Sequence, residues 1–268
     1  MRLGQWVEIG RMDELGRLDT PAHRLDARAK IITTLLFIVV VMSFPRYEVS
    51  ALMPFLIYPF ALMALGRIPP GCIARKILLA APFALVIGMF NPWLDQRTVA
   101  VIGTWSISGG WLSFISIMLR FVLTVSVALT LIACTGIHRL GTGLERMCVP
   151  RVFVVQLLFL YRYLFVVADE GARMLRSLEL RSAGPNSLRL RVYGSLVGHL
   201  LLRSMDRADR VYRAMVARGF NGEIRVLRQA PFCLTDWVFT GGWTAFFIIA
   251  RRWNLADALG RMLAGDGS

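Results

Sequence analysis

Between Trp111 and Cys134 the chain runs through apolar residues with a single charge, Arg120, and it runs far enough to cross a bilayer's hydrocarbon core as a helix. No other feature constrains the fold as tightly. Inside hydrocarbon every backbone N–H and C=O must be satisfied within the protein, so such a segment has to be helical and has to belong to a helical assembly. Arg120 is costly at that depth unless it is paired or faces protein. Further apolar runs cover Ile31–Phe44, Val49–Leu65, Ile77–Leu94 (which contains Asn91-Pro92) and Leu234–Ala250. With 56% hydrophobic and 18% charged residues, the chain is too apolar and too sparsely charged for a soluble domain of 268 residues. The expectation is an all-α, polytopic membrane protein with about five or six spans. Pro45-Arg46 and the cluster Gly66-Arg67-Ile68-Pro69-Pro70-Gly71 read as breaks between spans. Thr98–Gly110, rich in glycine, serine and β-branched residues, fits a short hairpin, a loop or part of a span.

The net charge of +14 is carried by arginine, Lys30 and Lys76 being the only lysines. Such an excess in short connections faces the cytoplasm. Residues 1–30 form a polar lead-in with Arg11, Arg17, Arg24, Arg28 and Lys30 and no early apolar core, so a cleaved signal peptide is not expected and the N-terminus reads as cytoplasmic. A nucleic-acid partner is not expected, since neither a recognition motif nor a separate soluble domain carries the charge. Cys72, Cys134, Cys148 and Cys233 form no Cys-x-x-Cys pair and read as small buried hydrophobes. His23 lies in the lead-in, His138 in a basic loop, and His199 apart from both, so no convergent metal site is expected. The plentiful methionines, Met42, Met53, Met63 and Met89 among them, read as packing. No Gly-x-x-x-x-Gly-Lys-Ser/Thr loop is present to hold a nucleotide phosphate. A membrane-embedded enzyme would need carboxylates or metal ligands at depth, whereas Glu48 and Asp95 fall in loops. A stand-alone transporter or channel would need polar breaks near mid-membrane, for which Asn91-Pro92 and Arg120 are the only hints.

A different grammar begins after Cys134. Val149–Val167 is apolar enough to span, but His138, Arg139, Arg146 and Arg151 precede it and Arg173, Arg176 and Arg181 follow. A span would strand one of these basic clusters outside. One long helix from near Pro150 to Ser182, about 50 Å in length, accommodates both halves. Ala183-Gly184-Pro185-Asn186-Ser187 stops it. A second helix is expected from Leu188 to Arg218, with Tyr193, Leu196, Val197, Leu200, Ala208, Val211, Tyr212 and Met215 as one apolar stripe and Arg203, Arg207 and Arg210 on another face. Asp206 with Arg210, and Asp209 with Arg213, are spaced for acid-first pairs along a solvated face. Gly219-Phe220-Asn221-Gly222 ends this helix. The resulting division is a lead-in (1–30), N-terminal transmembrane helices (31–137), a region of two long amphipathic helices (138–230), and a last transmembrane helix with a tail (231–268).

Both long helices close on an arginine, in Leu180-Arg181-Ser182 and in Ala217-Arg218-Gly219. Arginine at a helix C-terminus is favourable against the exposed carbonyls, so a simple cap is the bland account. A rigid helix that presents a planar guanidinium can also pair bidentately with a partner carboxylate and transmit a movement along its axis. Asp26 and Arg28 fit a role in fixing the N-terminal lead-in, and a plain local ion pair or helix cap accounts for them equally well.

With these residues in view, the chain resembles the transmembrane T component of energy-coupling factor (ECF) transporters, in its CbiQ-type cobalt and nickel branch. His23-Arg24-Leu25-Asp26-Ala27-Arg28-Ala29-Lys30 is similar to the family's pattern before the first span, with Ala27 in place of the usual proline. Ala214-Met215-Val216-Ala217-Arg218-Gly219-Phe220 resembles its second coupling-helix signature. Leu180-Arg181-Ser182 stands where the first is expected, departing from the commonest letters at its leucine and serine, and Tyr161-Arg162-Tyr163 and Glu170 fit the helix that carries it. The resemblance implies a non-catalytic scaffold in a prokaryotic cell membrane. Arg181 and Arg218 would dock on a cytoplasmic pair of ATP-binding-cassette ATPases, with Leu180, Ser182, Ala217 and Gly219 flanking them and Gly184-Pro185 acting as a terminator. The partners would bind ATP and magnesium, and this chain would bind no cofactor. A membrane S component would carry the substrate, cobalt ahead of nickel or a vitamin, with a possible small accessory membrane subunit.

Overall fold

The structure is a computed structural model that describes residues 20, 25–45, 49–91, 98–102, 105–181, 190–221 and 232–252. Most of the lead-in, His23 and Arg24 included, lies outside the described residues. The chain divides into two compact bodies, one formed by Met12–Gly143 with Ala230–Ser268, the other containing Leu144–Gln229.

The first body is a helical bundle. Helix α1 (Ala27–Met42) begins where the Asp26 Oδ1 accepts the Arg28 N–H at 3.0 Å, a side-chain N-cap. The next apolar run does not start as an α-helix: Ser50–Leu56 is a 3-10 helix interrupted by Pro54, which has no N–H to donate, and α2 (Ile57–Gly66) follows. At the end of α2, Arg67 adopts a left-handed φ of 50°, and the Ile68 N–H reaches back to the Met63 carbonyl at 3.0 Å. Helix α3 (Pro70–Met89) opens on proline in its first turn, so the apolar run beginning at Ile77 belongs to a helix that starts several residues earlier. Thr98–Ser108 is a hairpin: β1 (Thr98–Ile102) pairs antiparallel with β2 (Trp105–Ser108). Then come α4 (Gly109–Thr135), the short α5 (Ile137–Arg146) and, at the C-terminal side, α8 (Leu234–Arg252). The fold is thus α-helical with one small hairpin among the described residues.

Phe37, Phe55, Tyr58 and Phe247 are fully buried at the centre of the bundle, their rings meeting at 5.0 Å (Phe37–Tyr58) to 6.0 Å (Phe55–Phe247). The Tyr58 hydroxyl donates to Thr33 Oγ1 at 2.9 Å, so the polar tip of this core ring is satisfied. Both ends of α1 are tied by cations. Lys30 Nζ donates to the Cys134 carbonyl in the last turn of α4 at 3.2 Å. At the other end Arg120 Nη2 donates to the Phe44 and Pro45 carbonyls at 3.1 and 2.7 Å. Arg251 Nη2 donates to the Ser43 carbonyl at 3.0 Å, its guanidinium lying 4.3 Å from the Phe44 ring centre. Arg120 is therefore an interhelical tie, and α1 and α4 run antiparallel.

The second body carries α6 (Arg151–Arg181) and α7 (Leu190–Ala217). By length and composition, α3, α4 and α6 can each cross a membrane, and Ser50–Gly66 is a shorter apolar segment. Two expectations need correction. His138 is not in a loop: it lies in α5, an amphipathic helix whose buried face is Gly141 and Gly143. The cysteines are not uniformly buried. Cys134 is, but Cys148 sits exposed in a left-handed turn and Cys233 exposed just before α8.

Candidate functional site

Helices α6 and α7 pack antiparallel. A Cβ added at Gly171 would lie 3.4 Å from Leu200 Cδ2, so the helices approach where α6 has no side chain to hold them apart. Beside this contact Glu170 gathers three arginines. It accepts from Arg173 Nη2 on its own helix at 2.7 Å and from Arg203 Nη1 on α7 at 2.9 Å, and Arg207 Nη2 lies at 3.6 Å. The hydrogen bond from Arg173, then that from Arg203, holds its carboxyl below the usual carboxylate range. On one side of the crossing the helices part around a cavity of about 590 Å³, lined by Val152, Phe159 and Tyr163 of α6, by Val211 and Met215 of α7 and by Phe220 just beyond it.

This arrangement revises the expected faces of α7. Val192, Leu196, Leu200, Ser204, Arg207, Val211 and Met215 form the half-buried stripe, whereas Tyr193, Val197 and Tyr212 are exposed. The arginines do not stand apart on a solvated face, because Arg203 and Arg207 reach across to Glu170. Among the described residues no ion pair joins Asp206 to Arg210 or Asp209 to Arg213, and the arginines that Glu170 gathers are others, Arg173, Arg203 and Arg207.

The two arginine ends lie at opposite ends of the pair. Helix α7 finishes at Ala217, and Gly219 follows with a left-handed φ of 82°. The Gly219 N–H donates to the Val216 carbonyl at 2.9 Å and the Phe220 N–H to the Met215 carbonyl at 3.0 Å. This is a Schellman turn, in which backbone groups satisfy the last carbonyls. The exposed Arg218 side chain is therefore not needed as a cap. Arg181 is the last residue of α6 and also exposed, and Leu180 beside it is 83% exposed. Among the described residues neither the Arg181 nor the Arg218 side chain has a hydrogen-bond or ion-pair partner, although the Arg218 N–H donates to the Met215 carbonyl at 3.0 Å. Ser182, Gly184 and Pro185 lie outside the described residues.

Asp26 and Arg28 belong to the bundle. Besides capping α1, Asp26 donates its own N–H to Asp236 Oδ1 at 2.8 Å, and Arg28 Nε stands 4.0 Å from Asp26 Oδ1. Asp236, missed in the sequence, is buried and also accepts the Cys233 N–H at 2.9 Å, closing the first turn of α8 from its third position. That spacing, an acid three residues past Cys233 before an apolar run, was the available signal. Ala27 and Ala29 are buried in the same region, and a Cβ on Gly143 would meet the Ala27 Cβ at 2.9 Å, which accounts for small residues in this motif.

An aromatic-cored bundle with helices long enough to span, in a chain that also holds a long antiparallel helix pair, defines a polytopic α-helical membrane protein. A family profile described as CbiQ, cobalt transport protein, matches residues 19–228, and the chain belongs to that family. It is 27% identical over 274 residues to the energy-coupling factor transporter transmembrane protein EcfT of Heliobacterium modesticaldum, covering 95% of this chain and 97% of that protein. It is 30% identical over 168 residues to the nickel permease LarQ of Lactiplantibacillus plantarum, covering 56% of this chain and 60% of LarQ. To the cobalt transport protein CbiQ of Rhodobacter capsulatus it is 35% identical over 91 residues, 34% of this chain and 37% of that protein.

Proposed function

We propose that this chain is the transmembrane T subunit of an ATP-driven ECF-type uptake transporter in a prokaryotic cell membrane, with a cytoplasmic N-terminus. The observation that carries the reading is the end of α7. The Schellman turn satisfies the helix carbonyls by itself and leaves the Arg218 guanidinium exposed at the tip of a rigid helix. Arg181 repeats that placement at the far end of the pair, and α6 alone, with 31 residues, is about 45 Å long. Two separated cationic tips suit two copies of an ATPase, each offering a carboxylate-lined groove, better than one. ATP and magnesium belong to those partners. Closure of the ATPases displaces the helix tips, and the helix pair passes that displacement to a membrane S component that holds the substrate, with a small accessory membrane subunit as a possible further partner. This chain performs no hydrolysis.

The substrate reading is cobalt, supported by the description of the family. The likeness to a nickel permease supports nickel as a second reading, and the near full-length likeness to EcfT supports a scaffold shared among vitamin carriers. Uptake of radioactive cobalt and nickel by cells expressing the complete transporter distinguishes them. The docking reading is tested by co-purification of the tagged chain with its ATPases, comparing wild type with Arg181→Glu, Arg218→Glu and the double variant. Loss of the ATPases from variants that still insert in the membrane is the expected result. Undiminished capture and uptake in the double variant would reduce both arginines to surface charges.

A further inference from the structure

We propose that Glu170 is the positioning residue that fixes the angle between α6 and α7, so that a displacement at one arginine tip moves the pair as a single lever. The inference rests on the docking reading for its functional consequence, though not for its geometry. Little else holds the crossing. Only Val154 of α6 is buried, α7 has no buried residue among those described, and Gly171 contributes no side chain to the contact with Leu200. The apolar stripe between the helices is only half buried, so the specific bonds weigh more on the angle than they would over a closed core. Those bonds converge on one carboxylate: Arg173 at 2.7 Å from the same helix, Arg203 at 2.9 Å and Arg207 at 3.6 Å from the other. Glu170 is only 18% exposed while the two closest arginines are 64% exposed, so the anion is the fixed centre and the cations reach in. Asp169, the neighbouring acid, adds a smaller attraction for Arg173. Without the Glu170 charge, three guanidinium groups from two helices face each other with no anion between them, and the favoured response is for the helices to splay at the cavity beside the crossing.

The experiment places spin labels at Phe153→Cys and Val216→Cys, two exposed positions on the diverging arms, in the full chain with its four native cysteines replaced by alanine. Electron-electron distance measurements in lipid nanodiscs then need no ATPase. The parent chain is expected to give one narrow distribution, Glu170→Gln a broadened one, and Glu170→Asp a narrow one. In the assembled transporter Glu170→Gln is expected to retain its ATPases but to lose about tenfold in uptake per ATP hydrolysed, a split that general destabilisation does not produce. An unchanged distance width, or a broadened one with unchanged uptake per ATP, overturns the proposal. Should Glu170→Gln fail to insert, Arg203→Gln and the exchange Glu170→Arg with Arg203→Glu give the same reading, the exchange restoring the narrow distribution. If the arginine tips prove irrelevant to ATPase capture, the distance result still stands, so failure of the pivot and failure of the docking reading are told apart.

Discussion

The bundle and the helix pair solve opposite problems with the same residue types. In the bundle Phe37, Phe55, Tyr58 and Phe247 are removed from all solvent, and its charges are spent on backbone: Lys30, Arg120 and Arg251 each donate to carbonyls near the ends of helices. In the helix pair apolar side chains such as Val197, Leu202 and Tyr212 remain about three-fifths exposed, and Arg173, Arg203 and Arg207 gather on a carboxylate. The first region closes a core on itself and turns a second apolar surface outward, with Leu78, Leu79 and Phe83 about three-quarters exposed. The second leaves unpartnered apolar area on a long helix, a state that soluble monomers rarely tolerate and that partners or lipid relieve. The difference is one of core: among the described residues the bundle encloses a packed aromatic centre, and the pair does not.

The sharpest way to break this comparison is to delete one large side chain from each region. Phe247 packs against Phe37, Phe55, Tyr58 and Trp243, so Phe247→Ala is expected to destabilise the bundle by about 3–5 kcal/mol, the usual cost of a buried aromatic cavity. Leu202→Ala, at a position 61% exposed, is expected to stay within about 0.5 kcal/mol while weakening association with the partner subunits. Thermal unfolding in detergent reads the first effect and subunit capture the second. Equal destabilisation by both would mean that the pair is as self-sufficient as the bundle.

Next in size is the buried clip between the first and last helices. Asp236→Ala leaves the Asp26 and Cys233 N–H groups without their acceptor and is expected to cost about 2 kcal/mol, with Asp236→Asn recovering part of it. Protease protection of α8 in membrane vesicles is a direct readout: full protection in the alanine variant would show that the clip is incidental.

What could be seen in the sequence follows the same division. Apolar length located the helices of the bundle, and amphipathic period with glycine stops located α6 within a residue and α7 within two, because those signals are local. Contacts between distant segments were not legible. Asp236 pairs with a residue 210 positions away, and Lys30 reaches a carbonyl 104 positions away. The arginine tips were legible as letters. Their freedom from a capping role was not, since it depends on which backbone N–H groups close the Gly219 turn. Glu170 was visible as a family-like residue, but its convergence of three arginines required the crossing geometry.

Glycine offers a finer comparison, since Gly143 and Gly219 are needed for different reasons. At Gly143 a Cβ would meet the Ala27 Cβ at 2.9 Å, so Gly143→Ala is expected to strain the bundle by about 1–3 kcal/mol. At Gly219 space is open and only the backbone objects: with φ at 82°, Gly219→Val costs about 1–2 kcal/mol at the helix tip alone. The first variant should lower the melting temperature of the whole protein. The second should leave it unchanged and reduce ATPase capture by redirecting the Arg218 end. Unchanged uptake in Gly219→Val would count against the geometry of that tip.

The smallest effect is one of acidity, and it touches the helix pair only. Hydrogen bonds from Arg173 and Arg203 keep the Glu170 carboxyl below its ordinary value of about 4.5. A carboxyl depressed in the folded state contributes stability above the unfolded value and loses it as pH falls through the folded one. The angle between α6 and α7 should therefore be constant from neutral pH to about 5. The label distribution should broaden only below the ordinary carboxylate range, where Arg173, Arg203 and Arg207 lose their common anion. In Glu170→Gln the same titration should be flat from the start, since the residue that titrates is gone. A broadening that begins near pH 6 in the wild type and persists in Glu170→Gln would assign the sensitivity to another group, and the pivot would lose its electrostatic basis.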